Sequence, residues 1–326
     1  MDTLELRCGG TRVQLDRFGA MFTAEFTVNG QRLSPLFRPA WHGNFADDAF
    51  LNGLQGDFLC APFGAHPESA AAFADEWKPC IEQAAPDAFA HGYPAHHVWD
   101  VADAREQEAT LRLTTHPRFS SITRRVGCAP DGSVQVTDTL IPAADFEMPL
   151  GLHPIFALPE RAEQAELLLP EYAFAATFPS AVDASSIFVQ NVQTDARAVA
   201  CLDGTTCDVT RLPLARDTEE LLMLCNVADG SVTLRNRPQG YRVTLSWDAR
   251  LLPNCLLWLS NRGRTFAPWN GQNLCLGIEP IAAAFDLGEC VSAGENPLRR
   301  KDVCTSLPFK AGVPLILSHS LQISAE

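Results

Sequence analysis

Along most of this chain apolar and polar residues alternate with a period of two, in short runs that stop at Gly, Pro, Asn or Asp. Residues 11–15, 21–28, 109–115, 133–140 and 231–234 read this way, and 241–247 alternates cleanly from Tyr241 to Trp247. That is the pattern of strands bounded by turns. Three later runs, 255–259, 274–278 and 314–323, are apolar enough to be further strands. Asn29-Gly30, Asp131-Gly132 and Asp229-Gly230 each adjoin a strand run and predict hairpins. Only 67–83 reads as a helix: Pro67 suits a first helical position, and Ala70, Ala71, Ala72 and Phe73 follow it.

No linker, low-complexity tract or long-period repeat divides the 326 residues, which favours a single large β domain, residues 1–326, over two. A two-sheet sandwich with extra strands is the expected architecture. A jelly-roll or cupin-like barrel is the nearest alternative, since it too is built from many short, similarly spaced strands.

Composition removes several function classes. Hydrophobic residues make up 46% and charged residues 20%, the balance of a folded globular protein. The net charge of -14, from 25 Lys and Arg against 39 Asp and Glu, repels phosphate backbones and anionic lipid, so neither nucleic acid nor membrane is an expected partner. Eleven cysteines include no C-x-x-C pair, residues 1–7 lack a basic or apolar leader pattern, and no run is long and apolar enough for a membrane span. Reduced thiols in the cytoplasm are the expectation.

Against this background two segments stand out: Gly151-Leu152-His153-Pro154-Ile155-Phe156 and Gly277-Ile278-Glu279-Pro280-Ile281. Each sets one titratable side chain in an apolar run, where desolvation disfavours its charged form unless it is paired or used. For Glu279, Pro280 predicts a strand end facing a cleft, and the competing reading is a strand-end carboxylate tied to a loop or an Arg. For His153 the competing reading is a satisfied core histidine. Upstream, His91, His96 and His97 lie among Tyr93 and Trp99 in a turn-rich stretch. Gly92 and Pro94 oppose the helix that a zinc-binding histidine pair needs, so a metal is not expected; imidazoles beside aromatics suit a sugar, with its apolar C–H face and its hydroxyls.

Taken in order, His91-Gly92 with Trp99, the Gly151–Phe156 segment and Gly277-Ile278-Glu279-Pro280 resemble the three motifs of the aldose 1-epimerase (galactose mutarotase) family. Pro35-Leu36-Phe37-Arg38 with Trp41, Gly56-Asp57-Phe58 with Pro62-Phe63-Gly64, and Cys255-Leu256-Leu257-Trp258 extend the resemblance over most of the chain. It implies an all-β fold, the large antiparallel galactose mutarotase-like supersandwich with few short helices. It also implies an isomerase that interconverts sugar anomers without a cofactor. Glu279 is then the base on the C1 hydroxyl, His153 the acid on the ring oxygen, and His91 a group that binds and polarises the sugar beside that oxygen. Burial of Glu279, and the carboxylate beside His153, predict that both titrate near neutrality.

The departures concern the substrate. Ile155 stands where the family commonly has Tyr, and Cys60-Ala61-Pro62-Phe63-Gly64 lacks the family's frequent Arg, which leaves Arg38 as a substitute and Asp57 as a carboxylate in a matching segment. Arg262 and Arg264 at a cleft mouth suit a phosphorylated or carboxylated sugar or are solvated surface, and Trp258, Trp269 and Asn270 are candidates for stacking and hydroxyl contacts. A small-molecule carbohydrate bound by a monomer or homodimer is expected. A non-catalytic sugar-binding module on the same fold is the main alternative; a glycoside hydrolase or lyase requires paired carboxylates, of which the sequence assigns one.

Overall fold

The computed structural model describes residues 2–326. Two large antiparallel sheets face each other. The outer sheet has nine strands, in spatial order Arg211–Leu212, Ala165–Leu168, Ser231–Asn236, Tyr241–Trp247, Leu315–Ala325, Val134–Pro142, Phe119–Cys128, Glu108–Leu113 and Asp100–Ala104. Its strands alternate buried and accessible positions, as in Tyr241–Trp247, because one face meets the core and the other meets water. A four-stranded sheet, Thr3–Cys8, Thr11–Asp16, Phe22–Val28 and Gln31–Leu33, lies beside it, with Asn29 and Gly30 both at positive φ in the last turn.

The inner sheet is covered on both sides. Its order is Gln193–Thr194, Tyr172–Thr177, Thr218–Val227, Asn254–Asn261, Leu274–Ala282, Leu150–Leu152 and Leu59–Cys60, with Ile155–Ala157 also pairing with Leu274–Ala282. Every residue of Asn254–Asn261 and Leu274–Ala282 is buried, which explains the near-continuous apolar runs there. Leu222, Leu224, Leu257, Leu259, Leu276 and Ile278 point into the core shared with the outer sheet. Leu221, Met223, Leu256, Trp258, Cys275 and Ile281 point the other way, into a second core closed by Phe58, Phe63, Trp77 and Phe285 from loops and short helices.

Two local expectations are corrected. Asp229-Gly230 makes no hairpin: it carries the chain from Thr218–Val227 in the inner sheet to Ser231–Asn236 in the outer one. The helix over 67–83 shrinks to Lys78–Glu82. Pro79 sits in the first turn of that helix and has no N–H for a longer one, while Phe73 and Trp77 upstream are held in turns by the second core. The other helices, Ala49–Gly53 and Gly288–Ala293, are as short, and no helix among the described residues is long and apolar enough to cross a membrane.

Candidate active site

Glu279 stands inside a strand, not at its end. Leu274–Ala282 pairs with Asn254–Asn261 in the register Leu256↔Glu279 and Trp258↔Gly277, and Trp258 in turn faces Leu221. Side chains paired across an antiparallel ladder share a face, so Leu221, Leu256, Trp258 and Glu279 rise together and line one cleft of about 560 Å³. Gly277, two positions before Glu279, leaves the floor open: a Cβ there would lie 2.1 Å from Glu279 Oε1.

Pro280 is tolerated because the ladder on its other side is interrupted. Leu150 and Gly151 pair with Ala282 and Ile281, pairing resumes at Ile155↔Gly277, and His153-Pro154 occupies the gap. Neither Pro154 nor Pro280 has an N–H to give, so the break costs few hydrogen bonds. Ile278 N–H donates to the Pro154 carbonyl at 2.9 Å, and His153 N–H donates away from the gap to the Phe58 carbonyl at 3.0 Å. Thus freed from the ladder, the His153 ring turns to Glu279, Nε2 to Oε1 3.4 Å, with Phe58 stacked against it at 4.6 Å.

The third motif is keyed in through backbone. His91 has φ 58° and its N–H donates to the Gly64 carbonyl at 2.8 Å. Gly92, φ 86°, packs so closely on the Ala61 carbonyl that a Cβ would approach it to 2.4 Å. The His91 ring stands edge-on to His153, centroids 4.8 Å apart. Of the three histidines in this stretch only His91 lines the cleft; the His96 and His97 rings bond the Ala90 and Tyr93 carbonyls. Among the described residues no group of three or more His, Cys, Asp or Glu is arranged to hold a metal.

His91 Nδ1, His153 Nδ1 and Glu279 Oε1 are buried with no hydrogen-bond partner in the protein. Burial, with Asp286 nearby, pushes Glu279 well above the usual carboxylate range. Burial, with His91 beside it, pushes His153 well below the usual imidazole range, and burial takes His91 down to about 4. The expectation that the carboxylate beside His153 keeps it titrating near neutrality is therefore overturned. Its neighbouring carboxyl is itself driven to the neutral form and offers little charge to stabilise an imidazolium.

Trp258 and Trp269 form the wall, and a polar assembly braces them. Trp258 Nε1–H donates to Glu219 Oε1 at 2.6 Å, Ser260 Oγ–H donates to Oε2 at 3.0 Å, and Arg264 Nε lies 3.3 Å from Oε1. The Arg264 guanidinium covers the Trp269 ring at 4.7 Å. Asp286 completes the lining, its carboxyl raised by burial to about 6. Glu219 and Asp286 were not among the sequence candidates, although each sits in or beside an apolar run as Glu279 does.

Four candidates lie away from the cleft. Asp57 is fully buried against Arg124 and His319, whose Nε2 is 2.6 Å from Oδ2; burial acts to raise its pKa, but these two neighbours outweigh it and hold it low. Arg38 is exposed and bonds Gln55 Oε1 at 2.7 Å. Arg262 turns to Glu160, 2.6 Å away, and Asn270 is exposed with its amide on the Pro268 carbonyl. Ile155 is wholly buried in the second core, and the 60–64 segment brings no cation to the cleft.

Neither a family model nor a curated protein matches the sequence. Solved structures do match the fold. The whole chain superposes on 96% of a protein from Synechocystis, with TM-score 0.67 and 15% identity. It superposes over 99% of its length on all of a galactose mutarotase-like protein from Lactobacillus casei, with TM-score 0.63 and 16% identity. A galactose mutarotase-like protein from Clostridium acetobutylicum is similar over 99% of this chain and 95% of its own, with TM-score 0.62 and 12% identity. The fold is the galactose mutarotase-like β-sandwich; at such identities the likeness carries architecture, not activity.

Proposed function

We propose that the cleft binds an aldose and interconverts its anomers by acid–base ring opening. The reading rests on the His153–Glu279 pair, 3.4 Å apart on the floor of a tryptophan-walled cleft, with a polar atom of each residue lacking a protein partner. Trp258 and Trp269 offer faces to the sugar's C–H surface, and His91 lies where it can hold the ring oxygen.

Two buried groups that together carry one mobile proton suit this reaction. At rest the neutral pair, carboxylic acid and imidazole, is favoured by burial. Sugar hydroxyls bonded to Glu279 favour its tautomer, carboxylate and imidazolium, without change in total protons. Glu279 then takes the C1 hydroxyl proton, His153 delivers one to the ring oxygen, and the C1–ring-oxygen bond breaks to give the open-chain aldehyde. Rotation about C1–C2 and reclosure, with both transfers reversed, yield the other anomer and restore the pair.

NMR exchange spectroscopy on freshly dissolved sugar anomers tests this. Acceleration by the wild type, lost at least about 10²-fold in Glu279→Gln and His153→Asn, is the expected result. Wild-type rates in both variants sink the assignment. Sugar binding without acceleration assigns the cleft to a non-catalytic module, and a new reducing end released from an oligosaccharide assigns it to hydrolysis.

A further inference from the structure

The two arginines that made a phosphorylated or carboxylated sugar attractive are both spent. Arg262 leaves for Glu160, and Arg264, the one arginine on the cleft lining, is paired with Glu219 at 3.3 Å and laid over Trp269. Among the described residues no lysine lines the cleft. Against these cations stand two carboxyls facing the same space with no ion pair to an arginine or lysine, Glu279 and Asp286; Arg264 acts on Asp286 from a distance but lowers its pKa less than burial raises it. Glu279 is only 2% exposed and its Oε1 has no hydrogen-bond partner. The Asp286 carboxyl takes part in no ion pair among the described residues, and the hydrogen bond that acts on it is from its own backbone N–H.

Backbone packing holds Asp286 in place. Phe285 before it has φ 50°, an uncommon conformation for an aromatic residue. The Asp286 carbonyl accepts from Ala65 N–H at 2.8 Å and lies so close to Gly64 that a Cβ there would approach it to 2.4 Å. Gly64 in turn holds His91. The Asp286 backbone is thus fixed to the same frame as the imidazoles, which sets its side chain on the cleft lining.

We propose that Asp286 is a specificity-determining residue that closes the cleft to anionic sugars and favours a sugar carrying an ammonium group, with uncharged aldoses between. This deepens the anomer-exchange reading and rests on it for the identity of the ligand as a sugar. With Arg264 paired to Glu219, Asp286 is a carboxylate without an ion-pair partner that a ligand meets at neutral pH, since burial raises its carboxyl only to about 6. One unit charge within a few ångströms at the wall of a cleft discriminates by on the order of tenfold.

Calorimetric titration of the full chain at pH 7 with D-glucosamine, D-glucose, D-glucuronate and D-glucose 6-phosphate reads this without requiring turnover. Affinity is expected to fall in the order amine, neutral, anion, by about tenfold from glucose to glucose 6-phosphate. In Asp286→Asn the amine's advantage and the anions' disadvantage both collapse towards the glucose value. Anions bound as tightly as glucose by the wild type, or an order unchanged in Asp286→Asn, overturn the proposal. Exchange spectroscopy on the same sugars separates the two claims. The binding order without acceleration of any sugar refutes anomer exchange and leaves Asp286 its role. Acceleration of glucose 6-phosphate equal to that of glucose refutes the role of Asp286 alone.

Discussion

Gly277→Ala perturbs the proposed base without touching it. The added methyl group would stand 2.1 Å from Glu279 Oε1 and 3.0 Å from Trp258 Cβ. To restore ordinary contact near 3.4 Å the carboxylate must retreat by roughly 1.3 Å, away from a position 3.4 Å from His153 Nε2. A displacement of about 1 Å between reacting groups costs on the order of 10²-fold in rate. Stability should hardly change, because the obstructing atom ends a flexible side chain. Gly277 also lies in ordinary strand conformation, where Gly→Ala gains about 0.4–1 kcal/mol through the unfolded chain. That gain offsets the tight approach to Trp258. Polarimetry on fresh α-D-glucose, beside a thermal melt, should therefore find anomer exchange reduced about 10²-fold with Tm within about 3 °C of wild type. Full activity in a folded Gly277→Ala protein refutes the claim that the carboxylate's position on this floor matters.

Other expectations follow from the buried charges. Arg124 and Asp57 are both wholly inaccessible, so Arg124→Met leaves Asp138 without its ion-pair partner and Asp57 with His319 alone, and should cost about 3–5 kcal/mol in urea unfolding, whereas Arg38→Ala, on the surface, should cost under about 1 kcal/mol. A cost for Arg124→Met no larger than for Arg38→Ala would show that the cluster is not held by this pair. Between pH 6 and 4 two groups act in opposite senses. Asp286, raised from 3.8 to about 6, contributes stability that is present at low pH and lost as pH rises through 6, while His91, lowered from 6.5 to about 4, contributes stability lost as pH falls through 4. Asp286→Asn removes the first and leaves the second, so its urea midpoint should fall more steeply than the wild type's on acidification from pH 6 to 4. Parallel curves would contradict the raised carboxyl of Asp286.

Much of the fold is legible in one sequence because strand periodicity is local. The alternation of 241–247 and the apolar run of 274–278 each report how many faces of a strand are covered, and the strands Tyr241–Trp247 and Leu274–Ala282 follow. Asp229-Gly230 misled because a turn signal states that the chain bends, not which sheet it bends towards. Titratable residues in apolar runs also pointed to His153 and Glu279, which line one cleft. The same signal at Glu219 and Asp286 had no motif to draw attention to it.

What the sequence by itself determined is the β architecture and the presence of a histidine and a glutamate that burial would perturb. Only the tertiary structure decided which charges face the cleft and in what state. Asp57 is withdrawn into the core by Arg124 and His319, which stand 67 and 262 positions away. Arg262 is drawn off by Glu160, 102 positions away, while His153 meets Glu279 because the strand register sets the two opposite each other at a break in the ladder flanked by Pro154 and Pro280. The state of a buried charge depends on partners brought together by folding, and the distance between those partners along the chain does not reveal the pairing.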